Sequence, residues 1–590
     1  MNDSKIIKLC KELGCCDTCC LRYIGLKSPA AYEEAKQFLV KYVRDKTEHA
    51  NNVDPSTDQD ETNPPEEIGP TAEQDKIEPA DCANHSKEQD QTELADGVNQ
   101  KTEQEAGSLQ NDTEKTSCDR NGAESDEPPA KKQKTDSICV SCIGVLQEEN
   151  WPQCYAMVKE VLDKKRYECD TFACALSAPI ATMLRERYIT LCLKEQFADY
   201  DADKLLTPLK EAWKWSFGAH LAAHVGITLD SGAVSPLLVT LNLEYPDDLQ
   251  ELEVLKTLSA SLFESRSKQR QRFAVEFTRR SVEQALRGVT LARLRAQPAW
   301  EGGAPAPRAQ ARPVSVQAAH APLYLGGRYI KLSRTLPQTP WLVNGLRMMH
   351  SSVQEIIFGP IARLYGMSPD ETEYRLKFMS AGREDVDVRC LGDGRPFAVE
   401  VSDPQRTPTA DELRRMCDEI SEGEQVIVKS LVPVSREELA ELKKGEETKC
   451  KTYEALCIKL SHTEDDELTA NGDTAIRVTE RDIANINSYR NSDSSRVLLS
   501  QRTPIRVLHR RPLLTRTRRI LDLTAYPVAG HPQLFVVRLR TEAGTYVKEW
   551  AHGEAGRTRP RLQDALRARA DILALDVASV DLPWPNTNTL

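Results

Sequence analysis

The chain has 590 residues and a formal net charge of −12, and it is too long for one core, since single cores stop growing near about 250–300 residues. Its acidity is local: residues 47–136 hold 24 Asp/Glu against 8 Lys/Arg and contain no Phe, Tyr or Trp, which leaves the rest of the chain at +4. That slightly basic remainder permits a nucleic-acid partner, and the absence of any apolar run of about 18 residues argues against a membrane span.

The opening "MNDSKIIKLCKELGCCDTCC" puts polar side chains where a signal peptide needs an apolar core. Without that signal, 17 cysteines grouped in CxxC pairs read as reduced thiols of a soluble intracellular protein, some of them binding metal. Cys16 and Cys19 form one pair; Cys139 and Cys142 form the other. Two such loops complete a closed Cys₄ zinc site, which leaves no open position and is therefore structural. Cys15 and Cys20 leave the register open, because Cys15/Cys19 and Cys16/Cys20 are also available, but only Cys16 and Cys19 carry the two-residue gap.

Residues 28–46 predict a helix, with Ser28 as cap, Pro29 at its first position and an apolar face of Tyr32, Ala35, Phe38, Leu39, Tyr42 and Val43. Residues 47–136 cannot bury enough apolar surface to offset ordering entropy and are expected to be a disordered insertion. Its removal would bring the two CxxC loops together. Lys131, Lys132 and Lys134 near its end form a basic cluster of the kind that serves as a nuclear import signal, or simply a solvated charge run.

After Cys142, an amphipathic helix is expected within 138–162. Short strands such as 235–243 then mix with helices such as the basic 264–289, an α+β pattern. Residues 297–313, rich in Ala, Pro, Gly and Arg, read as a loop or linker. From about 325 onward strands alternate with helices, with candidate strands at 396–401, 453–460, 503–511 and 533–540.

The stretch "SAGREDVDVRCLGDGRPFAVEV" (380–401) concentrates charge around short valine alternations. It could be a solvated loop, a metal-binding carboxylate cluster, or one nucleophilic aspartate held by arginines. A divalent-metal nuclease would use Asp385, Asp387 and Glu400. Such sites carry a lysine two residues past the second acid, whereas Glu400 is followed by Val401 and Ser402.

Gly382-Arg383-Glu384-Asp385 resembles the GR-x-D signature of pseudouridine synthases. "KTYEALCIKL" (451–460) resembles that superfamily's tyrosine motif, and "AGTYVKEWAHGEAGR" (543–557) resembles its third. The three occur in the family's order. "GRYIKLSRTLPQTPW" (327–341), "GREDVDVR" (382–389), "GRPFAVE" (394–400), "TPIRVLHRRPL" (503–513) and "GTYVKEWAHG" (544–553) narrow the resemblance to the archaeal–eukaryotic tRNA pseudouridine synthases of the "Pus ten" type.

The resemblance implies a zinc-stapled accessory domain of THUMP type ahead of a catalytic domain with a mixed, mainly antiparallel sheet. The corresponding divisions are 1–46 and 137–320 for the accessory part, split by the insertion 47–136, and 321–590 for the catalytic domain. It assigns the nucleophile to Asp385, the supporting cation to Lys548, and the residue over the flipped uracil to Tyr453, with abstraction of the C5 proton as a further role. Asp387 falls outside the motif position and is read as structural or RNA-positioning. Arg383, Arg389, Arg506, His509, Arg510 and Arg511 are the candidate phosphate- or base-cradling residues. The implied substrate is tRNA, or another structured RNA, handled by a monomer in nucleus or cytoplasm. By the same analogy the targets are uridines of the T-arm, fifty-five first, with modification of fifty-four or of both left open. Structural zinc is the one cofactor expected, with no organic group. The competing expectation is an RNA-binding or processing factor that works without catalysis.

Overall fold

Alternating burial along the strands builds two sheets. The computed structural model describes residues 3–51, 137–230, 232, 234–268, 275–463, 466, 475–489 and 497–585. The predicted insertion lies outside the described residues except for its first few positions, where the helix Ala35–Asn51 continues to Asn51 rather than ending at 46.

In the N-terminal part, strands β1 (Thr171–Ser177), β2 (Thr228–Leu229), β3 (Leu237–Glu244) and β4 (Arg312–His320) form one sheet in the order β2-β1-β3-β4. β1 runs parallel to β2 and β3, and β4 closes the edge antiparallel. Leu237, Val239, Leu241 and Leu243 alternate inward along β3. They belong to the same core as Trp213, Phe217, Trp300 and the cysteine loops, so those loops and the sheet share one apolar interior.

Two local expectations change, and a third gains detail. Ser28 does not cap a helix: Pro29 occupies the cap position, and a break at Glu34 separates the helices Ala30–Glu33 and Ala35–Asn51. The basic stretch 264–289 is not one helix: helix Ala260–Lys268 ends at Lys268, residues 275–278 ahead of helix Arg279–Leu286 are non-helical, and Arg266 binds the carbonyls of Val275 and Glu276 there. Residues 297–311 are loop, as expected, apart from the 3₁₀ turn Pro298–Trp300, and the loop is packed down. Trp300 and Ala311 are buried, Ala311 donates its N–H to Ile143, and the Pro305 carbonyl accepts from the buried Arg185.

The second sheet begins two residues after β4. It comprises β5 (Leu323–Lys331), β8 (Leu376–Ser380), β9 (Arg389–Val401), β10 (Val426–Val434), β11 (Lys451–Lys459), β12 (Val497–Arg502), β13 (Thr515–Pro527), β14 (Leu534–Thr541), β15 (Thr558–Arg559) and β16 (Ala570–Val580); β6 (Leu342–Val343) and β7 (Leu346–Arg347) form a separate hairpin. The order is β10-β5-β9-β16-β11-β14-β13-β12-β15, with β8 added on β9. Among the described residues of this sheet, only β9 and β16 pair in parallel. The fold is α+β, and this second sheet is mixed and mainly antiparallel. Residues 503–511, expected as a strand, instead form a 3₁₀ turn at Ile505–Val507, as Pro504 enters it and no ladder partner follows.

Asp403 ties the two sheets together. Its carboxylate accepts from Lys165 Nζ (2.5 Å), Tyr167 Oη (2.5 Å) and the His320 N–H (2.8 Å), all from the N-terminal part. No helix of the described residues is long and apolar enough to cross a membrane.

Candidate active site

Asp385 sits in the loop 381–388 between β8 and β9, where β9 begins its short parallel contact with β16. Arg506, from the turn after β12, donates Nη1–H to Asp385 Oδ1 at 3.0 Å. Lys548, in the helix Val547–His552 that follows β14, places Nζ 3.4 Å from Asp385 Oδ2 and 2.8 Å from both oxygens of Asp387. Burial pushes the Asp387 carboxyl up, but the Lys548 hydrogen bonds and charge outweigh it and leave the group below its usual range.

Arg506 is held in turn. Its Nε–H donates to Glu549 Oε1 at 2.7 Å, and Glu549 is buried. Burial alone would lower the guanidinium, but Glu549 and then Asp385 raise it. The charges therefore alternate along Asp387, Lys548, Asp385, Arg506 and Glu549.

Tyr453 lies near the start of β11, paired with Leu539 on β14 and Val577 on β16. Burial raises its phenol to about 12, against the opposing charge of Arg395. A phenol so raised stays almost wholly protonated at neutral pH, which leaves little phenolate to act as a base.

Beneath the loop is a buried charged layer. Arg395 Nε–H donates to Glu384 Oε2 at 2.7 Å with side-chain exposures of 1% and 0%. The Tyr329 hydroxyl donates to the other Glu384 oxygen, and Gln338 Nε2 donates to Tyr329 Oη. Gly382 turns the chain with φ +90°, and a Cβ there would stand 2.7 Å from Lys451 Nζ. The positive φ is what favours glycine here, since the Lys451 side-chain end could move aside.

The remaining sequence candidates separate into two groups. Arg389 is engaged with Asp576 at 2.6 Å, which also binds Arg334 at 2.7 Å; it braces the sheet. Arg383 donates to Thr339 Oγ1, and burial followed by the like charge of Arg510 pushes it below its usual value. Arg510 and Arg511 are exposed close to it, and His509 is exposed on the same turn. Arg506, grouped with these on sequence, stands instead against Asp385. Sequence reasoning passed over Glu549, Lys331, Gln338 and the Glu384–Arg395 pair. The one available signal was their position inside or beside the motif stretches, which says nothing about what they touch.

The four sulfurs of Cys16, Cys19, Cys139 and Cys142 lie within 4.8 Å of one another. Cys16 and Cys142 sulfurs are 3.8 Å apart, the spacing of about 3.8 Å that tetrahedral Zn–S bonds of about 2.3 Å produce. The N–H groups of Cys16 and Cys142 point at Cys139 Sγ, at 3.2 and 3.5 Å. The donor set fits zinc. Cys15 and Cys20 are buried beside it but outside the four-sulfur group.

The Asp385 loop, the Tyr453 strand and the Lys548 helix belong to or flank one mixed sheet, and comparison with known proteins places the chain in the pseudouridine synthase class, an isomerase. Residues 324–581 match the family model "Pus10, C-terminal" and residues 139–315 match "Eukaryotic Pus10, N-terminal". The chain is 33% identical over 490 residues to the tRNA pseudouridine synthase Pus10 of Xenopus laevis, covering 78% of this chain and 88% of that protein. It is 32% identical over 461 residues to the Homo sapiens protein of the same name, covering 77% and 80%. The Thermofilum pendens Pus10 is 33% identical over 264 residues, covering 44% of this chain and 53% of that protein. This chain belongs to the Pus10 family. Among solved structures, a Cbf5-Nop10-Gar1 complex aligns at 14% identity and a TM-score of 0.22, covering 43% of this chain and 48% of that one, too slight a likeness to bear on the fold.

Proposed function

We propose that this chain isomerises uridine to pseudouridine in the T-arm of tRNA, at position fifty-five and, as a second target, fifty-four, using Asp385 as nucleophile. The observation that carries the reading is the placement of the Asp385 carboxylate between Arg506 at 3.0 Å and Lys548 at 3.4 Å.

The uridine must leave its stack to reach that carboxylate. Asp385 attacks the ribose C1′ as the N1–C1′ bond breaks, and the bonding pair leaves with uracil. The freed base turns while held against the Tyr453 ring. C5 then bonds to C1′ and the aspartate departs. The proton lost from C5 is balanced by one gained at N1, so substrate and product are isomers. Arg506 and Lys548 compensate the carboxylate, which is about one-third exposed in the free chain (32%) and is shielded from water when the RNA covers it. Arg383, Arg510 and Arg511 supply positive charge for the phosphates beside the target nucleotide.

The Cys₄ group would hold a structural zinc through Cys16, Cys19, Cys139 and Cys142, which staples the accessory module and takes no part in the reaction. The accessory part, of THUMP type, grips the RNA away from the cleft, and the Asp403 clamp carries that grip to the catalytic sheet.

The deciding experiment is pseudouridine formation on an unmodified tRNA transcript, read by mass spectrometry, for wild type and Asp385→Asn with RNA binding measured in parallel. Product at the T-arm from wild type alone, with equal binding by both, is the expected result. Full activity in Asp385→Asn would mean a different nucleophile, and binding without product in either protein would favour a non-catalytic RNA-binding factor.

A further inference from the structure

The loop 381–388 contains no helix or strand, yet its main chain is gripped on both sides of Asp385 by side chains from elsewhere. Arg395 Nη1 donates to the Ala381 carbonyl at 2.8 Å, and Gln338 Nε2 to that of Gly382 at 3.0 Å. On the other side, Lys331 Nζ donates to the carbonyls of Asp385 at 3.1 Å and Val386 at 2.8 Å, and Arg334 Nη1 to that of Asp387 at 2.9 Å.

Lys331 is the centre of this cradle. It is the last residue of β5 and is 0% exposed. Its third proton goes to the Leu336 carbonyl at 2.7 Å, so all three donors of the ammonium end on main-chain oxygens. A buried ammonium carries a large desolvation cost, and a methionine would fill the same volume without it. Two of the three acceptors are the carbonyls of the nucleophile itself and of its successor. Because each peptide is planar, fixing those oxygens fixes the two peptide planes that follow the Asp385 Cα. Gln338 and Arg395 fix the planes on the preceding side.

We infer that Lys331 is a positioning residue: it holds the main chain of Asp385 so that the carboxylate meets the sugar carbon in the reacting geometry, without itself touching the RNA. The inference rests on Asp385 being the nucleophile. Misplacement of a reacting group by about 1 Å can cost about 100-fold in rate, so the role should appear in the chemical step and not in binding.

The test is single-turnover pseudouridine formation on a tRNA transcript by the full chain, for wild type, Asp385→Asn, Lys331→Met and Gln338→Leu, with RNA affinity and thermal midpoint measured on each. Lys331→Met should slow the chemical step by about 100-fold while RNA affinity changes by less than about 3-fold. Gln338→Leu, which removes the hold on the preceding side, should act in the same direction by about 10-fold, and it decides the matter if Lys331→Met fails to fold. An unchanged rate in the folded variant overturns the inference. So does a loss of RNA affinity as large as the loss of rate, the mark of general structural damage. Failure of the functional reading looks different: wild type then makes no product, or Asp385→Asn keeps the wild-type rate.

Discussion

Arg506 donates Nη1–H to Asp385 Oδ1 at 3.0 Å across 121 residues of chain, and its Nε–H is committed to Glu549. The guanidinium is thus a fixed bridge between two carboxylates. A planar fork can serve both at once, whereas an ammonium is a point charge without that geometry.

Arg506→Gln should therefore reduce the rate of pseudouridine formation by roughly 10²–10³-fold, the range seen when one preorganised electrostatic partner is removed. Arg506→Lys should recover little of it. If Arg506 acts by gripping phosphates instead, the loss will appear as weakened, salt-sensitive RNA binding with the rate on saturating RNA preserved. Rate and affinity measured side by side distinguish the two.

Below the loop, Glu384 and Arg395 pair at 2.7 Å with both side chains almost wholly out of water. Removing one partner strands the other charge, so Glu384→Gln or Arg395→Met should each lower stability by about 3–5 kcal/mol. The double substitution should cost less than the sum of the two. Denaturant unfolding of the three variants checks this, and simple additivity would mean that the pair is not coupled.

How far this was legible in the sequence follows from the distance over which each signal acts. The Cys16/Cys19 and Cys139/Cys142 pairs are local spacings, and Asp385, Tyr453 and Lys548 stand at fixed offsets within motifs, so both sets could be named before any fold was known. The 264–289 stretch misled because its charge pattern is helical while Arg266 satisfies carbonyls of a non-helical stretch nine and ten residues on. Arg389 and Arg506 misled for a different reason. An arginine in a basic run reads as a phosphate ligand, and only the fold brings Asp576 or Asp385 against it. Lys331 gave no signal of its role at all, since backbone carbonyls carry no side-chain identity.

The cysteine cluster makes a sharper register test than the sequence allowed. Metal analysis of the purified chain should find a single zinc, lost on replacing Cys139 and Cys142 with Ser and retained on replacing Cys15 or Cys20. Chelation should lower the thermal midpoint, because the cysteine loops share the N-terminal apolar core. Zinc lost with Cys15→Ser would put the coordination in the other register.

A buried ion triad on the far end of β11 gives stability a defined pH dependence. Lys459 is 0% exposed and binds Asp466 at 3.1 Å and Asp482 at 2.8 Å. Burial works against ionisation of Asp466, but hydrogen bonds from Thr463 and then the Lys459 ammonium bring its carboxyl down to about 2. A carboxyl lowered on folding stabilises the protein above its unfolded value and loses that contribution as pH falls through the folded one. From about 4 to about 2, the stabilisation is about 2–3 kcal/mol, present at neutral pH and vanishing towards pH 2. Asp466→Asn should accordingly lower the thermal midpoint at pH 7, and the gap to wild type should narrow steadily below pH 4. The check is a pair of melting curves across pH 2.5–7. A gap that stays constant over that range would mean that Asp466 contributes through its shape and hydrogen bonds and not through its charge.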